Sequence, residues 1–126
     1  MDENQLSQII VDAAIEVHRT LGGPDLLESV YREALAFEIR SRDVEVEQEK
    51  LVPVTYKSHI VSTPLRLDLL VGKLVIVECK AAADHNPIFE SQILTYLRLT
   101  GVKLGLVINF GQRLVKHGIH RVVNGL

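Results

Sequence analysis

The sequence contains a single cysteine, Cys79, and no tryptophan among its 126 residues. One cysteine can form no internal disulfide bond and supplies no cysteine-rich zinc site, so both kinds of crosslink are excluded. Aromatic residues make up only 5% of the chain, whereas apolar residues make up 47%. We therefore expect one aliphatic core in a single domain over residues 1–126.

Long hydrophobic segments are also missing, since no apolar run approaches the length needed to cross a bilayer. The first eight residues, MDENQLSQ, are polar and acidic and lack the basic start and apolar stretch of a signal peptide. With almost no cysteine to oxidise, the simplest expectation is a cytoplasmic protein with no membrane partner.

The small net charge of −2 conceals an asymmetry between the two parts of the chain. Residues 1–50 carry a net charge of −7 and residues 51–126 a net charge of +5. The basic second part could accept a polyanion such as DNA or RNA. A solvated acidic helix face and scattered surface lysines would explain the same pattern.

Apolar residues recur at helical spacing in the first third of the chain and predict two helices. The first covers residues 5–20 and the second ends near Ser41. Asp25 is predicted as the N-cap of the second helix, with Glu28 three residues later completing a capping box.

Strand patterns follow, with apolar residues on both faces of two central runs that are joined through Gly72-Lys73. This order of elements predicts an α/β fold in which helices cover both faces of a mixed central sheet. The predicted elements are strands over 44–56, 65–71 and 74–80, a helix from Asn86-Pro87 to Gly101, and a strand over 104–110.

Polar residues interrupt the two central strands. Glu78 and Lys80 share one face of their strand, because side chains alternate, and Cys79 takes the other face. Asp68 interrupts the partner strand. Ionised groups in buried strands are costly unless they are paired or bind a cation, so this grouping indicates a site.

The length of the hairpin loop decides whether these carboxylates meet. A two-residue turn at 72–73 would place Asp68 opposite Val77 and turn Glu78 to the other face. A three-residue loop at 72–74, or a bulge, would pair Asp68 with Glu78. The chemistry predicts the second register.

In that register Asp68 and Glu78 offer hard oxygen ligands to Mg²⁺ or Mn²⁺. Lys80 would then lie beside the attacking water and stabilise negative charge on a phosphate. The alternative is a buried ion pair between the lysine and a carboxylate, with no catalytic role.

Three other polar residues are weaker candidates. Gln92 and Tyr96 lie one turn apart on the same face of the third predicted helix. The Gln92 amide could orient water or contact a phosphate, although a surface glutamine beside a core-edge tyrosine is the simpler reading. Glu28 could supply a third acidic group, or serve only in the capping box.

The histidines do not form a metal-ligand spacing on a common helix. The last two lie near Arg113 and Lys116 and could contact a phosphate, or belong to a solvated surface. The five are His18, His59, His85, His117 and His120.

Asp68, Glu78-Cys79-Lys80 and Gln92-x-x-x-Tyr96, with Glu28 on a preceding helix, resemble the PD-(D/E)XK nuclease superfamily. From about Ile10 to Val123 the chain is also similar to the small GxxExxY family of bacterial and archaeal proteins. One departure is Asp25, which stands where that family's name asks for glycine.

The resemblance implies a restriction-endonuclease-like core that uses Mg²⁺ or Mn²⁺ to hydrolyse phosphodiesters of DNA or RNA. The alternatives are a catalytically silent module that binds nucleic acid or a partner protein, and a homodimeric scaffold. The implied residues are Asp68 and Glu78 as metal ligands, Lys80, Gln92 and Glu28 in catalysis, and Tyr96, Tyr31 and Arg66 in substrate binding.

Overall fold

A five-stranded mixed sheet with helices on both faces forms the framework of the computed structural model, which describes residues 1–126. Its elements in chain order are α1 Glu3–Leu21, α2 Glu28–Arg40, β1 Val46–Val52, β2 Thr55–Tyr56, β3 His59–Ile60, β4 Leu65–Val71, β5 Val75–Lys80, α3 Ile88–Thr100, β6 Leu104–Asn109, a 3-10 turn Val115–Gly118 and β7 Ile119–Val123.

The sheet order is β1-β4-β5-β6-β7, and β2 and β3 form a separate small hairpin. Strands β5 and β6 are parallel, and α3 is the crossover between them. The other neighbours in the sheet are antiparallel. The predicted mixed sheet is therefore confirmed.

Two apolar layers cover the sheet. Helices α1 and α2 pack against one face in a cluster that includes Val77 and Cys79 of β5. On the opposite face Ile76 packs against Ile93 and Leu97 of α3. Adjacent residues of β5 thus enter different layers, as strand alternation requires. None of the helices has the length and apolar composition needed to cross a bilayer.

The start of α2 differs from the prediction. The helix begins at Glu28, its N-cap is Leu27, and no side chain caps it. Asp25 lies in the left-handed region with φ 84°. The Tyr31 hydroxyl accepts a hydrogen bond from Leu26 N–H and donates one to the Gly23 carbonyl, and these bonds hold the preceding segment instead. The predicted capping box of Asp25 and Glu28 is wrong, which frees Glu28 from that role.

The ends of α3 agree with the sequence. The Asn86 side chain accepts a hydrogen bond from Ile88 N–H at 3.0 Å, so it satisfies one donor of the first turn. Gly101 ends the helix with φ 76°, a left-handed conformation that glycine adopts without strain. The long strand predicted over 44–56 is divided between β1 and the short β2.

Candidate active site

The β4–β5 hairpin has the register that brings the two carboxylates together. Val71 pairs with Val75 and Leu69 pairs with Val77. The loop is therefore three residues long, over 72–74, as the chemistry predicted. The ladder ends at Leu69 and Val77, and the next residues of the two strands, Asp68 and Glu78, are joined by hydrogen bonds to their side chains.

Reciprocal hydrogen bonds hold these two side chains. Asp68 N–H donates to Glu78 Oε2 at 2.8 Å, and Cys79 N–H donates to Asp68 Oδ2 at 2.9 Å. Each carboxylate thus uses one oxygen on the backbone of the neighbouring strand. Asp68 Oδ1 and Glu78 Oε1 accept no hydrogen bond, so one oxygen of each group is free for another ligand.

Burial and the neighbouring charges set the ionisation of Glu78. Burial, followed by the nearby charge of Asp68, raises the pKa of Glu78 to about 8. The Asp68 backbone hydrogen bond and the positive charge of Lys80 act in the opposite direction but do not cancel it. A positive ion between the carboxylates would lower this pKa, because it favours the ionised form.

Lys80 lies close to the carboxylates but forms no direct ion pair with them. Its Nζ is 5.0 Å from the centroid of the Phe89 ring, and it forms no salt bridge. Its charge still acts on Glu78 and on Glu28. The ammonium group is therefore close to the site and available to another partner.

Glu28 borders the same site from α2. The residue is exposed as a whole, yet partial burial of its carboxyl group raises its pKa. The charge of Lys80 opposes this shift and the charge of Asp68 adds to it. Because both charges act on Glu28, the structure brings it near the Asp68–Lys80 group.

On α3, the Gln92 amide donates a hydrogen bond to Tyr96 Oη at 3.1 Å. Gln92 is exposed and Tyr96 is half-buried. Burial raises the pKa of Tyr96, and the charge of Glu78 adds to the shift. The structure therefore places this pair at the edge of the site, on the side of α3.

The other two predicted substrate contacts lie elsewhere. Tyr31 is completely buried, stacks on Phe110 with ring centroids 4.7 Å apart, and has its hydroxyl engaged with the backbone. The structure thus places Tyr31 in the core, where a substrate has no access. Arg66 is exposed and paired with Glu49, an acidic partner that it shares with Arg32.

A family model described as the PD-(D/E)XK nuclease superfamily matches residues 4–122. The chain belongs to the PD-(D/E)XK nuclease superfamily. This match covers nearly the whole sequence, including every residue of the site described above. No curated protein matches the sequence.

One solved structure with a similar fold is described as the crystal structure of SSO0001. The superposition has a TM-score of 0.57 with 15% sequence identity, and covers 78% of this chain. This chain spans 50% of the length of that protein. At such low identity, the likeness is one of fold.

The donor set of this PD-(D/E)XK chain fits a hard divalent cation. Mg²⁺ and Mn²⁺ prefer oxygen ligands and are held by a small number of carboxylates, with waters and phosphates as the remaining ligands. Asp68 Oδ1 and Glu78 Oε1 supply two such oxygens from adjacent strands. Glu28 adds a third acidic group nearby.

Asn109 is a buried structural residue beside the site that the sequence pattern did not predict. It is completely buried at the end of β6. Its Oδ1 accepts hydrogen bonds from Ala82 N–H and Gly111 N–H, and its Nδ2 donates to the Ala82 carbonyl, all at 3.0 Å. The side chain thereby fixes the segment that directly follows Lys80. The sequence feature that could have identified Asn109 is a single amide side chain in the otherwise apolar run over residues 104–110.

Replacing Asn109 by alanine should lower the free energy of unfolding by about 2–4 kcal/mol, because three backbone groups lose their partner. Urea unfolding monitored by circular dichroism measures this loss. The matched control is Gln112→Ala, which removes one hydrogen bond to the Ala83 carbonyl in the same loop and should cost less than about 1 kcal/mol. Equal losses in the two variants would contradict this role of Asn109.

Proposed function

We propose that this protein is a nuclease that depends on Mg²⁺ or Mn²⁺ and hydrolyses phosphodiester bonds of DNA or RNA. The observation that carries the proposal is the reciprocal bonding of Asp68 and Glu78, which leaves one oxygen of each carboxylate free beside an unpaired Lys80. Superfamily membership supports the same reaction class. We also propose that the chain is one of the GxxExxY proteins.

A divalent cation, when bound, would polarise the phosphate and help to ionise water at neutral pH. Asp68 and Glu78 would hold it. The Lys80 ammonium would orient the attacking water and stabilise the negative charge that develops on the phosphate oxygens. Because the Phe89 ring lies 5.0 Å from Lys80 Nζ, the ammonium is held without an acidic partner that would neutralise it.

Glu28 would help to hold the cation, either as a third carboxylate ligand or through a bound water. Gln92 would orient water or contact a phosphate, since its amide is exposed at the edge of the site. Tyr96 and Arg66 would contact the substrate, and Arg66 would have to leave Glu49 to do so. Tyr31 would act indirectly, because its hydroxyl bonds fix the segment that leads into Glu28.

The second candidate function is a module that binds nucleic acid or a partner protein without cleaving it. The observation that favours it is the high pKa of Glu78, about 8, which leaves this carboxyl largely protonated at neutral pH in the absence of a cation. Within this second function, the acidic residues 1–50 disfavour tight binding of nucleic acid and favour a partner protein. The two functions differ in cation binding and in turnover.

The test is a cleavage assay with the purified protein and labelled single-stranded, double-stranded and branched DNA and RNA. Reactions contain Mg²⁺, Mn²⁺ or EDTA. We expect products only with a divalent cation, and none from the Asp68→Asn variant. This variant keeps an oxygen that can accept the Cys79 N–H bond, so its fold should persist.

Cleavage in EDTA, or equal cleavage by Asp68→Asn, would contradict the nuclease proposal. If no divalent cation binds at millimolar concentrations and no substrate is cut, the binding module is favoured. Gel-shift assays with the same labelled nucleic acids would then show whether nucleic acid is the partner.

A further inference from the structure

Three side chains from separate elements meet next to the candidate active site. His85 lies in the loop between β5 and α3, Glu90 in the first turn of α3, and His120 on β7. His85 Nε2 is 2.7 Å from Glu90 Oε1, and His120 Nδ1 is 4.0 Å from the same oxygen. The two imidazole rings stack with centroids 3.9 Å apart.

The donor atoms of this group all lie within 4.8 Å of one another. In a tetrahedral zinc site with bonds of about 2.0–2.1 Å, neighbouring ligand atoms are about 3.3 Å apart. The observed separations of 2.7 and 4.0 Å lie on either side of that value. Small shifts of the Glu90 side chain and of exposed His85 would therefore bring both separations to that value.

Neither ring nitrogen of His120 forms a hydrogen bond. Its Nε2 is buried and has no hydrogen-bond partner. Its Nδ1, at 4.0 Å from Glu90, is too far for a hydrogen bond. Nδ1 faces Glu90 and makes no hydrogen bond, so it is the ring nitrogen available to a ligand.

The chemistry of the group distinguishes between ligands. Two imidazole nitrogens and one carboxylate oxygen suit zinc and similar transition metals, whereas Mg²⁺ prefers oxygen alone. A phosphate is disfavoured because the Glu90 carboxylate lies in contact with His85. Three protein ligands also leave a fourth position open for water or another ligand.

We propose that His85, Glu90 and His120 form a second metal site, which binds Zn²⁺ and is separate from the pair of Asp68 and Glu78. Occupancy ties the β5–α3 loop to β7. Phe89 connects the two sites, because its ring meets His85 edge-on at 6.1 Å and lies 5.0 Å from Lys80 Nζ. Zinc therefore acts as a positioning element for Phe89 and Lys80.

The test is zinc binding by the untagged, metal-stripped protein, measured by calorimetry and by competition with a chromophoric chelator. We expect one Zn²⁺ per chain and a rise in the melting temperature. The variants Glu90→Gln and His120→Ala should each weaken zinc binding at least 10-fold. Substitution by Co²⁺ should give the visible absorption of a low-symmetry site, which the variants lose.

Two controls separate this site from its surroundings. His117→Ala removes an exposed histidine three residues before His120 and should bind zinc like wild type. Asp68→Asn should also retain zinc binding, so failure of the nuclease proposal would not affect this result. His85→Gln lies in an exposed loop segment and provides a folded variant if His120→Ala unfolds.

The proposal would be overturned if the wild type bound no zinc, or if Glu90→Gln and His85→Gln bound it as tightly as wild type. Loss of zinc binding in Asp68→Asn with retention in Glu90→Gln would also overturn it, because the metal would then occupy the carboxylate site.

Discussion

Cleavage by the Lys80→Ala variant should fall by at least about 100-fold, whereas Mn²⁺ binding should persist. Lys80 forms no salt bridge, so its removal breaks no direct ion pair with Asp68 or Glu78. The lost charge would otherwise stabilise the transition state of phosphodiester hydrolysis. Initial rates under single-turnover conditions measure the fall, and Mn²⁺ titration checks that the cation still binds.

Two variants control for packing and for general charge. Lys80→Met keeps a long side chain against Phe89 and should be as inactive as Lys80→Ala. Lys73→Ala removes an exposed lysine from the β4–β5 loop and should retain wild-type rates. If Lys80→Met cuts at wild-type rates, the ammonium has no catalytic role.

Above pH 8, the Glu78→Gln variant should be more stable than the metal-free wild type by about 2 kcal/mol or more. The cause is the buried carboxyl, whose pKa is raised from 4.5 to about 8 by burial and by the charge of Asp68. Glutamine has no charge to bury, and its amide oxygen can still accept the Asp68 N–H bond. The variant should not bind the catalytic cation.

The sign of the pH dependence follows from proton binding. Between pH 4.5 and 8 the folded wild type retains a proton on Glu78 that the unfolded chain releases. Its stability is therefore complete below about pH 4.5 and declines as the pH rises through about 8. Glu78→Gln lacks this decline, and Mg²⁺ should restore stability to the wild type alone.

Urea unfolding in EDTA between pH 5 and 9 measures both profiles. The exposed Glu45→Gln serves as the matched control and should follow the wild type. Parallel profiles for wild type and Glu78→Gln would show that burial of this carboxyl does not destabilise the folded protein.

The register of the central hairpin was predictable because the chemistry decided between two loop lengths. Hydrophobic pattern alone allows a two-residue turn at 72–73, which would separate Asp68 from Glu78. The need to keep two carboxylates and Lys80 on one face selects the three-residue loop that the structure contains. The layers also followed from pattern, since β5 is apolar on both faces.

Predictions made from local sequence spacing were wrong where contacts outside the motif decide the structure. Asp25 and Glu28 have capping-box spacing, but the hydroxyl of Tyr31 bonds Gly23 and Leu26 and fixes the segment that leads into the helix. The family motif includes Tyr31 and implied a substrate contact, although it packs in the core against Phe110. A sequence motif alone does not show how deeply a helical side chain is buried.

Local sequence spacing also could not predict the cluster of His85, Glu90 and His120. His120 lies 35 residues beyond His85 in sequence. It reaches α3 only because β7 pairs with β6, where His120 lies opposite Val107. This pairing brings His85, Glu90 and His120 together although they share no helix, so no ligand spacing along one element could have indicated the group.

Mn²⁺ titration followed by electron paramagnetic resonance, at pH 8 and with His120→Ala as background, tests most directly whether Asp68 and Glu78 hold a cation. We predict one bound Mn²⁺ per chain, retained when Lys80 becomes alanine and lost when Asp68 becomes asparagine. Absence of bound Mn²⁺ at millimolar concentrations, or equal binding after the Asp68 change, would contradict it.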